Sequence, residues 1–579
     1  MSLKIKWPGE LLATLLLVCL STLLFSQSRQ KTLADIDRDY TSQRADAEVR
    51  IQAYLRKNPG SQITFTENGA VHLLIDVNEN GVPIYLKADN AGVASSLNVH
   101  QLRTGGSLGI NILGTGIRLG TWDSGKARPD HVELIGRVTQ LDGASMNDNH
   151  ATHTSGTMIA SGVSPFAKGM APEATLSAFD FNNDVSEMTS QARPDQTTLL
   201  LSNHSYGTVA GWNNGSWFGD PSISVQADYK FGFYDLQSAQ WDGIAFNAPY
   251  YLIVKSAGND RGESGDGSRP ADGSPNGFDC ISTFGVAKNV LTVGAVNKVT
   301  NYTGPADVLM TSFSSWGPTD DGRIKPDVVA PGLNVFSSIA TTTTAYANAN
   351  GTSMSTPAVT GTLALWQQLY KGLNSGNYMR SATLKALTIH TAREAGPNNG
   401  PDYMFGWGLL DAEVGAKVII EKDNQNTFIQ ESVLVSGQVF EMNLGVPKPG
   451  TKITATLAWT DPAGSSPPPS LNPTVKMLVN DLDLRLVDDA ATQQFPWTLN
   501  PASPATAAVQ TVDNARDNVE KIEFSNPQPL IYKLRVTNKG TLLGGSQAFS
   551  LILTYSSQVD PRVISVSYTH LTLPTNREV

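Results

Sequence analysis

Residues 117–125 read IRLGTWDSG. An apolar run ends in tryptophan, aspartate and a turn of small residues. The same texture returns in TLLLSNHSYG (198–207), YLIVKSAGND (251–260), NVLTVGAV (289–296) and KPDVVAPG (325–332). A strand exposed on one face alternates polar and apolar residues, whereas a short continuous apolar run suits a parallel strand covered on both faces. The intervening segments have room for crossover helices, such as those expected around 151–160 and 231–246. Strand–helix alternation of this kind predicts an α/β layered domain with a mostly parallel sheet. In such sheets, functional groups collect past the carboxyl ends of strands, where Asp123, Asn203 and Asn259 stand.

The texture changes on both sides of this region. Residues 425–556 carry alternating runs, KITATLAWTD (452–461), DLDLRLVD (481–488), YKLRVTNKG (532–540) and AFSLILTYS (548–556), separated by Pro, Gly and Asn. That pattern predicts an antiparallel β-sandwich of jelly-roll type. PAGSSPPPSLNP (462–473) reads as a surface loop within it. Upstream, residues 34–58 carry a helical charge pattern, and VHLLIDVNENGVPIYLKAD (71–89) reads as a hairpin turning at Asn80-Gly81. Residues 1–28 hold Lys4 and Lys6 and an apolar run over 11–25, which reads as a secretory signal peptide. The expected boundaries are therefore 1–28, a polar segment over 29–104, the α/β domain over 105–421 and the sandwich over 422–557. A tail over 558–579 fits neither domain and resembles non-native sequence.

Bulk properties agree with several domains. The chain has 579 residues, 16% of them charged, and a net charge of −10. That length exceeds one core, and no basic stripe offsets the charge, which argues against nucleic acid as a partner. If Cys19 leaves with the signal, Cys280 is alone and no intrachain disulfide forms.

NGTSMSTP (350–357) places Ser353 behind Gly351 and at the start of an apolar helix, where the positive end of the helix dipole faces its oxygen. A serine nucleophile needs a base, a carboxylate to hold the base and donors for the oxyanion. Among eight histidines, His150 and His153 share NDNHATHTSGT (147–157). The pair can also be read as zinc ligands three apart, although no third ligand of suitable spacing accompanies it. Singly, Asp123 and Asn259 are ordinary turn residues and Ser353 an ordinary helix cap. GGSLG (105–109) fits a G-x-S-x-G hydrolase pattern literally, but no strand precedes it, so Ser107 reads as a loop residue.

WDSG, HATHTSG, SNHSYG, SAGND and NGTSMSTPA, in this order and with FSSWGPTDDGRIKPDVVAPG (313–332), resemble the subtilisin-like serine peptidases over about 105–421. The resemblance implies Asp123 as orienting acid, His150 as base, Ser353 as nucleophile and Asn259 as oxyanion donor. Ala151 stands where the family usually has glycine. The resemblance also implies that Ser205, Tyr206, Gly207, Ser256, Ala257 and Gly258 wall the primary substrate pocket, with room for a large apolar side chain. It makes 29–104 a propeptide acting as intramolecular inhibitor, released by a cut near Gly105. The sandwich is similar to the P-domain of proprotein convertases, and Asn480, Asp481 and Asp483 offer hard oxygen ligands to structural calcium. No cofactor is required for the chemistry. The expectation is a secreted, periplasmic or cell-surface monomeric endopeptidase acting on proteins or peptides, free of the membrane after signal removal. The rival is an inactive scaffold binding carbohydrate or a surface partner. An acid-acting relative using Glu and Asp in place of His is disfavoured by His150.

Overall fold

The computed structural model describes residues 31–67, 70–88, 94–422, 424, 426–444, 447–556 and 566–569. The expected signal segment, Cys19 and most of the expected tail lie outside the described residues. No described helix is long and apolar enough to cross a membrane.

The apolar runs quoted above form one parallel sheet. Its strands are β4 (Arg118–Asp123), β5 (Val138–Gln140), β6 (Thr175–Asp180), β7 (Leu201–His204), β11 (Leu252–Ser256), β12 (Leu291–Val296) and β13 (Val328–Pro331). Their order is β13-β12-β11-β7-β4-β6-β5, and every pairing is parallel. Both faces are covered, which explains why the runs are not alternating. On β11, Leu252 and Val254 join a core with α5 (Thr352–Leu373), while Ile253 points into a second core with Trp122, Phe179 and Trp241. The expected helices are α2 (Asn149–Ile159) and α4 (Leu236–Asn247); α3 (Asp184–Gln191) lies between them in the chain.

The polar N-terminal segment docks on this domain. Helix α1 (Leu33–Lys57) is capped by Thr32 and Asp35 and sends Ile36 and Tyr40 into the second core. Strands β1 (Thr64–Glu67), β2 (Ala70–Val77) and β3 (Pro83–Ala88) form an antiparallel sheet that continues onto β8 (Tyr206–Thr208). The β2–β3 turn sits at Asn80-Gly81 as expected, with Gly81 at φ +82°. Asn78 and Asn80 donate to Asp220 at 2.9 and 2.6 Å, tying the hairpin tip to the α/β domain.

Residues just before the expected boundary at 104 pack with the α/β domain. Leu97, Val99 and Leu102 have no exposed surface and belong to the α/β core. Arg103 donates to the Gly169 and Met170 carbonyls at 2.6 and 3.0 Å, and the Ala412 N–H donates to the Leu97 carbonyl at 2.8 Å. Residues 94–104 therefore pack as part of the α/β domain, although their polar sequence hides three core residues.

Two ribbons decorate the domain, β9 with β10 (Trp212–Asn213, Ser216–Trp217) and β14 with β15 (Val335–Ser338, Tyr346–Ala349). Helices α6 (Ser381–Thr391) and α7 (Ala412–Ile420) complete it. Two antiparallel sheets then follow. One has the order β16-β23-β18-β21 (Thr427–Val435, Ser546–Tyr555, Lys452–Ala458, Val519–Ser525). The other is β20-β19-β22-β17-β24 (Gln493–Gln494, Asp481–Asp488, Tyr532–Lys539, Val439–Leu444, Val566–Thr569). Alternate residues of β18, Ile453, Ala455 and Leu457, meet Leu482, Leu484, Leu534 and Leu551 and fill the space between the sheets. Residues 566–569 of the expected tail pair with β17, so that part of the tail joins the sandwich.

The sandwich lies against α6. His390 bridges Thr456 and Thr554 at 2.9 Å each, and Thr383 meets Ser550 at 2.8 Å. Deeper in the seam, the buried Lys288 ammonium stands 3.0 Å from Asp461 of the sandwich and 3.6 Å from Asp242 on α4.

Candidate active site

Asp123 is the last residue of β4 and has no exposed surface. Its carboxylate accepts from the Ser124 N–H at 2.7 Å and the Thr154 hydroxyl at 2.8 Å, and it faces Nδ1 of His150. A carboxylate partner fixes the imidazole with its proton on Nδ1, leaving the lone pair on Nε2. His150 lies in the first turn of α2, whose start is set by Asp148 accepting from the Ala151 N–H at 2.8 Å. Thr154 is four residues beyond His150, on the same helix face, so one turn of α2 delivers both groups to Asp123.

Ser353 lies in the first turn of α5, behind Gly351 at φ +144°. Its hydroxyl donates to the Ser205 carbonyl at 3.0 Å, and the Ser205 hydroxyl donates to the Ser353 carbonyl at 2.7 Å. Ser205 immediately follows β7. Asn259 lies three residues beyond β11, and its Oδ1 accepts from the Thr352 N–H at 2.8 Å and the Thr352 hydroxyl at 3.0 Å. The backbone donor fixes Oδ1 as the bound end of the amide and leaves Nδ2 as the outward donor. Strands β4, β7 and β11 are consecutive in the sheet. Their carboxyl ends thus bring the Asp123–His150 pair, the contact made by Ser353 and the Asn259 amide to one edge.

A family model described as the subtilase family matches residues 49–408. The chain belongs to the subtilase family. The serine protease/ABC transporter B family protein tagD of Dictyostelium discoideum is 23% identical, with 73% of this chain and 30% of that protein covered. Subtilisin DY of Bacillus licheniformis is 28% identical, with 52% of this chain and 92% of its own length covered. The C5a peptidase of Streptococcus pyogenes serotype M3 is 42% identical over 85 residues, which are 15% of this chain and 7% of that protein. The chain spans less than a third of the length of tagD and of the related tagB. Membership supports serine peptidase chemistry for this subtilase.

The six residues expected to wall the pocket divide into two groups. Tyr206 turns its ring into the core, where its hydroxyl donates to Asp184 at 2.8 Å. Ser256 and Ala257 are also buried; the Lys255 ammonium donates to the Ser256 hydroxyl at 2.8 Å, and Ala257 packs with Tyr234 and Ile281. Ser205 is held by Ser353. Gly207 and Gly258 keep partial exposure. At Gly258, φ is +106° and an added Cβ would stand 2.6 Å from Asp260, so glycine is required there. The β8 backbone pairs antiparallel with β3 in the register Ala88↔Tyr206, Lys87↔Gly207 and Leu86↔Thr208.

His153 does not join His150 as a metal ligand. Its Nε2 lies 3.2 Å from the Val335 carbonyl, and burial, with His150 nearby, pushes its pKa down to about 4. The calcium expectation at Asp481 and Asp483 meets a cation already present. The Lys539 ammonium is 2.8 Å from Asp483 and 3.6 Å from Asp481, Lys476 is 2.7 Å from Asp481, and Arg485 is 3.0 Å from Asp483. Asn480 is engaged with Gln547 at 2.8 Å. These residues do not fit a calcium site, because side-chain cations neutralise the carboxylates. Ser107 donates to Glu413 at 2.7 Å, the loop role expected for it. Buried Cys280 is a free thiol.

Three supporting groups escaped the sequence reading: Thr154, Thr352 and Asp148. Thr154 was legible in principle from its i+4 spacing to His150. Thr352 was not, because its role depends on where the loop after β11 meets α5.

Proposed function

We propose that this subtilase is a secreted serine endopeptidase. In this reading the Ser353 hydroxyl attacks a peptide carbonyl as His150 Nε2 accepts its proton. Asp123 holds the imidazole and stabilises its charged form. The Asn259 Nδ2 and the Ser353 N–H stabilise the oxyanion, and His150 then returns the proton to the leaving amine. Water repeats the sequence to release the acyl group. The observation that carries this reading is the anchoring of His150 to Asp123 and of Asn259 to Thr352, the residue before the proposed nucleophile, at neighbouring strand ends of one sheet.

The N-terminal segment is proposed as an inhibitor of the same site. β3 pairs with the β8 edge that an extended substrate would use, and Ser353 has no exposed surface in the intact chain. Release by a cut near Gly105 does not suit the packing of residues 94–104, so the proposed cut lies before residue 94. The test is labelling with a fluorophosphonate after removal of the N-terminal segment. Labelling of the parent and none of Ser353→Ala is expected; equal labelling of both would overturn the assignment.

A further inference from the structure

Lys255 stands where the two expected walls of the primary pocket leave the sheet. It is the residue of β11 just before Ser256, and it is paired with His204, the residue of β7 just before Ser205. The side chain is buried, and its ammonium donates to the Ser256 carbonyl and hydroxyl at 2.6 and 2.8 Å. Those two bonds fix the charge beside the second wall. The first wall meets it from the other side. A Cβ added to Gly207 would stand 3.7 Å from Lys255 Nζ and 3.6 Å from Ser282 Oγ, both ordinary contact distances. Glycine at 207 is therefore not demanded by crowding; its missing side chain leaves the ammonium within reach of a group entering between the walls. Gly207 keeps partial exposure even with β3 paired to β8.

The surroundings of the ammonium are polar as well. Ser282 donates to the Thr208 carbonyl at 3.1 Å, and the hydroxyls of Thr208 and Thr283 meet at 2.7 Å. His204 is held neutral by burial and by the nearby Lys255 charge, so it does not add a second cation. A hydrogen bond between ionised partners is roughly twice as strong as a neutral one, so a base built this way favours a carboxylate over an amide or an apolar group. Resting on the peptidase reading, we propose that Lys255 determines specificity. The pocket takes the acidic side chain of a glutamate or aspartate immediately before the cut, in place of the large apolar one that the resemblance implies. The carboxylate accepts from the Lys255 ammonium, with the Ser256 and Ser282 hydroxyls beside it. Between β3 and residue 94, where the proposed cut of the N-terminal segment falls, the sequence holds one acidic residue, Asp89.

The test expresses the full chain, releases the N-terminal segment and measures kcat/KM on fluorogenic peptides that differ only in the residue before the cut: Glu, Asp, Gln or Leu. The parent is expected to cleave the better of the two acidic peptides at least about tenfold more efficiently than the Gln and Leu peptides. Gln has the shape of Glu without its charge, so that ratio reads the ammonium and not the pocket's size. Lys255→Met should abolish the acidic preference and raise the Leu peptide above the Glu peptide. Fluorophosphonate labelling of Ser353 in both proteins shows whether the site is formed. Where Lys255→Met is not labelled, the parent's preference decides alone. A labelled parent that prefers Gln or Leu overturns this inference and leaves the peptidase reading standing; so does a labelled Lys255→Met that keeps the acidic preference. An unlabelled parent overturns both.

Discussion

Replacing Lys288 by methionine asks whether the sandwich and the α/β domain are one cooperative unit. The side chain is fully buried, and its ammonium lies 3.0 Å from Asp461 and 3.6 Å from Asp242. It also donates to the Pro462 and Met477 carbonyls at 2.6 and 2.9 Å. Methionine fills much of the same volume but leaves two buried carboxylates without their cation. Breaking such a pair costs about 3–5 kcal/mol. Both carboxylates keep other donors, Asp242 from Tyr234 at 2.7 Å and Asp461 from the Val479 N–H at 2.9 Å, which favours the lower half of that range. Adding Asp461→Asn removes one uncompensated charge, so the double variant should recover roughly half of the loss. Guanidinium unfolding followed by tryptophan fluorescence, on the Ser353→Ala background, measures both. A cost below about 1 kcal/mol for Lys288→Met would refute the reasoning. So would a parent whose sandwich unfolds in a separate earlier transition.

Three further outcomes are expected. Asn259→Ala should lower kcat by about 10²–10³ with little change in KM, because its amide acts on charge formed in the transition state; steady-state peptide hydrolysis measures the split. Burial pushes Asp184 up to about 6, so its contribution to stability is greatest below the ordinary carboxylate pKa and is lost as pH rises through 6. Asp184→Asn should therefore remove about 3 kcal/mol of that pH dependence, read from unfolding at pH 3.5 and 7. Finally, Lys539→Met should destabilise the sandwich and create calcium-dependent stability at Asp481 and Asp483 that the parent lacks, detected by thermal unfolding of both proteins with and without calcium.

Much of the architecture was legible because burial on both faces leaves a direct mark on sequence. The runs ending at Asp123, His204 and Ser256 could be neither helix faces nor half-exposed strands, and they became consecutive strands of one sheet. Alternation in KITATLAWTD and DLDLRLVD marked the sandwich, although its polar positions, such as Thr456 and Asp483, are themselves buried. The packing of the polar stretch at 94–104 on the α/β domain was not legible, since Leu97, Val99 and Leu102 have no regular period. The inward direction of the Tyr206 ring was not legible, because side-chain direction on a short strand depends on what packs behind it.

The sequence alone determined the strand texture, the local turn at Gly351 and the chemistry available at Asp123, His150, Asn259 and Ser353. Those properties depend on residue type and near neighbours. Only the tertiary structure decided that β3 covers the β8 edge, that Lys539 neutralises Asp481 and Asp483, and that Lys288 of the α/β domain meets Asp461 of the sandwich. Each of these joins residues far apart in the chain, and the pairing of distant charges and backbone edges leaves no periodic signal in either partner's local sequence.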